Sequence, residues 1–417
     1  MTSIEANTTE LTTDVLIIGA GPSGTMAAAL LQRGGIETLI VERQKFPRFS
    51  LGESLLPQSM VFLEAAGLLD AVAAGNYQHK NGAAFRFGDR YALFDFQQKF
   101  SEGPGTTYQV KRADFDKRLA DAVEQMGVPV HYEHEVLAIA FDDGKPLVSV
   151  RAPDGQTLTI RAQRVLDASG FGRVLPRLLD LEYPSDFPSR RAVFCHVEDQ
   201  IDPALLDREK ILITVNGTAR EIWYWLIPFS DGTSSVGVVG EQALIESYGA
   251  DPETQFDALI ADDAALTRIL AGARKTIKVN STQGYSCNVR ALHGEGYALL
   301  GNAGEFLDPV FSSGVTIAFK SAWLATRLIL REHAGETVDW QQDYDVPLKK
   351  GVDTFRTFVT AWYDTRLQDI IFHEQASPGI REMVCAILAG YAWDETNPYV
   401  QKPEKRLAAL AEICKSA

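Results

Sequence analysis

Apolar positions along the chain switch between two spacings, and the switches outline a fold. Val15, Leu16, Ile17 and Ile18 form a continuous apolar run, GAGPSG follows at once, Ser23–Arg33 has helical spacing, and Thr38–Val41 is apolar again. Continuous runs suit strands buried on both faces of a parallel sheet, so residues 13–43 predict a strand–helix–strand unit. Leu55, Met60, Leu63, Leu68 and Leu69 keep helical spacing after breaks at Pro47 and Gly52, which leave 46–54 as an ordered loop. HKNGAAFRFGDRYALFDF alternates as a strand pair turning at Gly88 and Asp89. TYQVKRADFDKRLADAVEQMG reads as a strand entering a helix. Val130–His134, Leu137–Phe141, Leu147–Arg151 and Leu158–Ile160 read as a meander, and RVLDASGFGRVLP as a further strand meeting a glycine turn. From 186 to 275 the pattern alternates through AVFCHVED, ILITVNG, REIWYWLIPF and SSVGVVG before a helical stretch. YALLGNAGEFLDPVFSSGVTIAFKSAWLATRLIL predicts a strand, a loop and a long amphipathic helix, and the chain from 339 is helical and rich in aromatics. There is no repeat of fixed period and no low-complexity segment, which removes solenoids and disordered arrays.

This order predicts an α/β protein laid down in pieces. A Rossmann-like domain takes residues 1–80, 103–185 and 276–340, an antiparallel β-sheet substrate domain takes 81–102 and 186–275, and 341–417 is a helical C-terminal region. A length of 417 residues agrees with more than one domain.

The glycines of the first unit carry chemistry. Gly19 allows the tight turn, Gly21 lets the backbone approach a pyrophosphate, and Gly24 lets the helix pack closely on the strand. With Pro22 and Ser23 they open the helix, whose free N–H groups hold phosphate charge. Glu42 follows Gly19 by 23 residues and ends the second strand, where an acid accepts hydrogen bonds from ribose hydroxyls; Arg43 is next to it. The pattern binds NAD or the ADP half of FAD, and its N-terminal position favours FAD. GNAGEFLDPVFSSGVTIAF at 301–319 is the second informative stretch. Gly301 ends a strand at the carboxyl edge of the sheet, where ligands bind in open α/β folds. Pro309 and the turn Ser312, Ser313, Gly314 then open a helix whose N–H groups face the pyrimidine edge of a flavin or hold a small anion.

A net charge of −15 excludes a nucleic-acid or anionic-membrane footprint. Cys195, Cys287, Cys385 and Cys414 lack any CxxC or His spacing, so no metal site is expected and the thiols fit a cytoplasmic, reduced protein. The first twelve residues are polar, with Glu5 and Glu10, and read as a tail and not a signal peptide. No stretch of about eighteen apolar residues exists to span a membrane.

GAGPSG with Glu42, FPRFSLGES at 46–54, WYWLIP at 223–228 and GNAGEFLDPVFSSG at 301–314 together resemble the FAD-dependent monooxygenase superfamily and, within it, the flavin-dependent halogenases. The resemblance implies an FAD-binding domain of the GR2, para-hydroxybenzoate hydroxylase-like type. It also implies that reduced FAD and oxygen oxidise chloride or bromide, and that hypohalous acid travels through a tunnel to a lysine beside the substrate. HKNGAAF resembles the KxG segment that carries this lysine, which makes Lys80 the catalytic candidate. WYWLIP matches WxWxIP and assigns Trp223 and Trp225 to the tunnel; the halide site carries over to the amides of Ser313 and Gly314. Phe311 stands where tryptophan halogenases have a glutamate, so the implied substrate is a phenol or an electron-rich pyrrole, free or on an acyl carrier protein, and not tryptophan. FRFG at 85–88 departs from the aromatic-tryptophan-glycine ending of related halogenases. Arg112, Ser54, Glu53, Asp167, Ser169, Gly170 and Asn302, the last where an aspartate is usual, carry over as cofactor contacts. A separate flavin reductase is implied, since no second dinucleotide fingerprint is present. Two other readings stay open: a monooxygenase or dehydrogenase of the same fold that does not halogenate, and a non-enzymatic flavin-binding assembly protein.

Overall fold

The computed structural model describes residues 10–185, 187–373 and 377–416. The start of the polar tail, the domain boundary at 186 and the chain end at 417 lie outside the described residues. Strand Glu10–Ile18, helix Pro22–Arg33 and strand Thr38–Glu42 form the first unit. The two strands pair in parallel, Val15 opposite Thr38 and Ile18 opposite Val41. Tyr297–Leu299, Thr157–Asp167, Glu10–Ile18, Thr38–Glu42 and Val130–Tyr132 are successive neighbours in one sheet. Strand Thr157–Asp167 is a single element of 11 residues, where the sequence predicts two. Arg161, Gln163 and Arg164 interrupt its apolar run, but Arg161 reaches Glu10 and Asp142 at the surface and Arg164 reaches Glu332, so the strand continues beneath them. The helix expected over 55–69 is two, Gln58–Ala66 and Leu69–Ala73, because Gly67 at φ 72° closes the first with a left-handed cap.

A second sheet has the order Arg274–Lys275, Arg190–Glu198, Thr233–Glu241, Trp223–Pro228, Lys210–Val215, Gly82–Phe87, Arg90–Asp95. Its strands run antiparallel to their neighbours, except that Lys210–Val215 and Gly82–Phe87 are parallel. The segment expected as one strand from His79 divides at Asn81. Gln78–Lys80 pairs with Thr107–Gln109 in a separate ribbon, and Gly82–Phe87 enters the sheet. All of Trp223–Pro228 is buried, and its period of two sorts it between two cores. Trp223, Trp225 and Ile227 face the main core, whereas Tyr224 and Leu226 join Phe256, Leu259 and Leu266 beneath the helices Pro252–Asp262 and Ala264–Ile269. Helix Gly314–His333 packs on Pro22–Arg33, and helix Val346–Tyr363 adds Phe355, Phe358 and Trp362 to the same core. No helix among the described residues is long and apolar enough to cross a membrane.

Candidate functional site

A cavity of about 480 Å³ extends from the first glycine turn to the inner face of the second sheet. At one end lie Gly19, Gly21, Pro22, Ser23, Glu42 and Arg43, with Ser169 and Gly170 across from them. Gly19 has φ 103°, and a Cβ there would stand 2.7 Å from the Ala168 carbonyl oxygen. A Cβ on Gly24 would stand 2.0 Å from the Gly19 carbonyl oxygen, so Gly24 serves helix packing and is off the wall. A Cβ on Gly21 would meet only Arg48 Nη2 at 3.4 Å; this is the open side, at the start of a helix. Arg48 Nη1 lies 3.2 Å from Asp116 Oδ2, and Arg112 clasps the same buried carboxylate through Nε at 2.7 Å and Nη2 at 3.0 Å. Arg112 Nη1 also donates to the Leu51 carbonyl at 2.5 Å, tying the 46–54 loop to the helix Arg112–Gln125. An open glycine, free helix N–H groups and a fixed arginine suit a pyrophosphate, so the residues present fit a dinucleotide.

The acids at this end do more structural work than the sequence implies. Glu42 accepts from Ala20 N at 2.9 Å and from Gln44 N at 2.8 Å, so its carboxylate sets the turn that it borders. Asp167 is fully buried and off the cavity wall, accepting from Ser169 N at 2.9 Å and Leu175 N at 2.6 Å. It shapes the turn while Ala168–Gly172 provide the wall; burial raises its carboxyl above the ordinary range.

The other end is aromatic. Trp223 and Trp225 both line the cavity, ring centroids 6.0 Å apart, with Ile211, Ile213 and Ile227. Trp225 Nε1 donates to Ser235 Oγ at 3.0 Å, and Trp223 Nε1 donates to the Tyr363 hydroxyl at 2.9 Å. Tyr363 donates onward to Asp308 Oδ2 at 3.0 Å, and Arg190 Nη1 lies 3.8 Å from the same oxygen. Burial pushes Asp308 up to about 6 against the pull of Arg190. Tyr285 lines this region with a buried hydroxyl that has no hydrogen-bond partner among the described residues.

Between the ends, Asn302, Pro309, Ser312 and Gly314 reach the wall. Gly301 does not. A Cβ there would stand 2.9 Å from Ala318 Cβ, so Gly301 provides close approach of the loop to the helix Gly314–His333. Ser313 is buried behind its neighbours. Phe311 also leaves the wall: its ring packs edge-on against Trp362 at 6.0 Å, so the expected tunnel position is a core contact instead. Opposite, Glu53 is buried with Oε1 2.8 Å from His196 Nε2, while its Oε2 has no hydrogen-bond partner among the described residues.

Lys80 is 1% exposed. Its ammonium donates to Ser54 Oγ at 2.7 Å and to the Leu55 carbonyl at 2.8 Å, and it lies 5.4 Å from the Phe96 ring centroid. Burial lowers its pKa to about 7. The side chain is not in bulk solvent, nor does it line the cavity; Ser54, which does, stands between. The sequence reading missed Arg48, His196, Tyr285, Asp308 and Tyr363. Arg48 and Asp308 sit inside quoted motifs and could have been singled out, but Tyr285 and Tyr363 come from segments whose pattern marks only core.

The chain matches the FAD binding domain family over residues 12–254, more than half its length. It is 32% identical over 330 residues to tryptophan 2-halogenase from Chondromyces crocatus, spanning 78% of this chain and 62% of that protein. It is 26% identical to the 1H-pyrrole-2-carbonyl-(peptidyl-carrier protein) chlorinase of Pseudomonas fluorescens, over 96% of this chain and 94% of that one. A solved flavoprotein/dehydrogenase from Cytophaga hutchinsonii superposes with a TM-score of 0.94 at 41% identity, covering 97% of this chain and 99% of that one. The chain thus spans under two thirds of the tryptophan enzyme and nearly all of the carrier-dependent one. FAD is the cofactor these motifs hold, halide is the family's co-substrate, and the chain belongs to the flavin-dependent halogenase family as an FAD-dependent oxidoreductase.

Proposed function

We propose that the protein is a cytoplasmic halogenase that uses reduced FAD, oxygen and chloride or bromide to halogenate an aromatic, phenolic secondary metabolite, free or held on an acyl carrier protein. A separate reductase supplies the reduced flavin. Bound reduced FAD with oxygen provides the oxidising equivalents that turn halide into hypohalous acid. The residues do the rest: the glycine turn and Arg48 hold the phosphates, Asn302, Pro309, Ser312 and the amide of Gly314 border flavin and halide, and Trp223 and Trp225 wall the path to the substrate. Lys80 takes the halogen. The observation that carries the reading is this lysine, buried directly behind the cavity wall, hydrogen-bonded to Ser54 of that wall and paired with no carboxylate among the described residues. A desolvated amine has its lone pair available at neutral pH, which a haloamine requires. The match to a pyrrole-carrier chlorinase over nearly its full length supports the carrier-bound form.

A second reading keeps the scaffold without halide: a flavin dehydrogenase or monooxygenase. The high similarity to the Cytophaga flavoprotein/dehydrogenase favours it. Mass spectrometry of products formed with reduced FAD, oxygen and bromide, from phenols and pyrroles both free and carrier-bound, separates the two. Brominated product supports the first; oxidised product without bromine throughout the panel replaces it with the second.

A further inference from the structure

Tyr363 ends the helix Val346–Tyr363, from the part of the chain without a recognisable motif, yet its hydroxyl joins Trp223 of the cavity wall to Asp308, the residue before wall residue Pro309. It accepts the Trp223 indole N–H at 2.9 Å and donates to Asp308 Oδ2 at 3.0 Å. Asp308 Oδ1 in turn accepts Val310 N at 3.1 Å, fixing the turn Pro309–Phe311. The ring is clamped as well, with the Arg190 guanidinium carbon 3.3 Å from its centroid. A phenol with one donor and one acceptor both engaged, beneath a buried guanidinium, has one orientation left. Trp223 therefore inherits its indole angle from a helix more than a hundred residues away in sequence.

We propose that Tyr363 is a positioning residue that fixes the Trp223 indole against the loop beginning at Asp308, so that the aromatic end of the cavity keeps one shape for its substrate. The proposal rests on the reading of Trp223 as part of the substrate path. Removing the hydroxyl leaves the indole N–H and the Asp308 carboxylate without their shared partner, while the ring still fills its place beneath Arg190. FAD contacts are untouched.

The test labels the protein with 5-fluorotryptophan and assigns the Trp223 fluorine signal by its loss in Trp223→Phe. In Tyr363→Phe that signal should move or broaden while the other five hold, FAD affinity should stay within about twofold, and KM for the aromatic substrate should rise about tenfold, with kcat changing less. Tyr363→Phe should cost less in the Trp223→Phe background than in the wild type, because the Trp223–Tyr363 hydrogen bond is already gone there and only the bond to Asp308 is left to lose. An unmoved Trp223 signal, or additive losses in the double variant, overturns the proposal. If Tyr363→Phe does not fold, Asp308→Asn is compared in its place: a shift of the same signal supports the coupling and an unchanged one overturns it. The fluorine arm needs no halogenation. A chain that yields no halogenated product while Trp223 responds to Tyr363 therefore defeats the proposed reaction and leaves the positioning intact.

Discussion

A methyl group added at Gly21 would meet only the Arg48 guanidinium, whereas one at Gly24 would collide with the Gly19 carbonyl. Two glycines three residues apart thus answer to different physics. Gly21→Val should give a folded protein whose FAD affinity falls on the order of a hundredfold, since its side chain takes the space of the pyrophosphate. Gly24→Ala should instead lower stability by about 3 kcal/mol; flavin titration and urea unfolding of both variants check the contrast. For Lys80, the Lys80→Ala chain should still bind FAD and release hydrogen peroxide but form no halogenated product. Lys80→Arg should fail too, because guanidinium keeps its proton. The pH dependence follows from burial, which lowers the amine from 10.5 to about 7. Between those values the unfolded chain holds a proton that the folded chain has released, so Lys80 makes stability rise with pH across this window, and its penalty is greatest below pH 7. Urea midpoints of wild type and Lys80→Met should accordingly diverge in favour of wild type as pH rises from 7 to 10. A difference that does not change with pH would mean that the ammonium is not desolvated.

The strand Trp223–Pro228 shows what an element makes legible and what it hides. Its six buried residues read as a strand from pattern alone, and the two-residue spacing puts both indoles on one face, as found. What lies across from them does not appear in the pattern. Gly237 sits opposite Trp225 on one neighbour and opposite Phe194 on the other, and a Cβ there would stand 2.2 Å from the Trp225 ring. A glycine inside SSVGVVG signals a close approach without naming the partner. Gly237→Ala should therefore push the Trp225 indole towards the cavity, cost about 1–3 kcal/mol, and weaken substrate more than FAD; unfolding and KM measurements read the two effects. The same limit explains other misses. Local patterns gave the helix and second strand of the first unit to within a residue, because glycine and apolar runs fix them, but the first strand starts at Glu10, inside the expected tail, since Glu10–Thr13 pair with Thr159–Ala162 although their pattern is polar. Local patterns split Thr157–Asp167 at surface arginines whose carboxylate partners are remote in sequence. They also gave Phe311 to the tunnel, since nothing near it in sequence reveals that Trp362 covers it.

On the scale of the whole molecule, the helices after residue 340 share a core with the nucleotide-binding unit and the second sheet. Trp362 lies 6.0 Å from both Phe85 and Phe311, Arg220 of the sheet side pairs with Asp369, and Tyr344 donates to the carbonyl of Leu299. Phe355, Phe358 and Trp362 are fully buried. At roughly 150–250 Å² apiece and about 25 cal/mol per Å², each contributes on the order of 4–6 kcal/mol as an upper bound. Three such side chains match the entire net stability of an ordinary domain, about 5–15 kcal/mol. The aromatic richness of the C-terminal sequence marked a helical region; the reason for it is that this region closes the core behind the cavity. A chain ended at residue 340 should consequently fail to fold around FAD, although it keeps all four motifs and every glycine of the fingerprint. Near-UV circular dichroism and flavin fluorescence quenching on the shortened chain measure this directly. Retention of both a cooperative transition and FAD binding would make the C-terminal helices an appendage, and Tyr363 would then lose its place in the site.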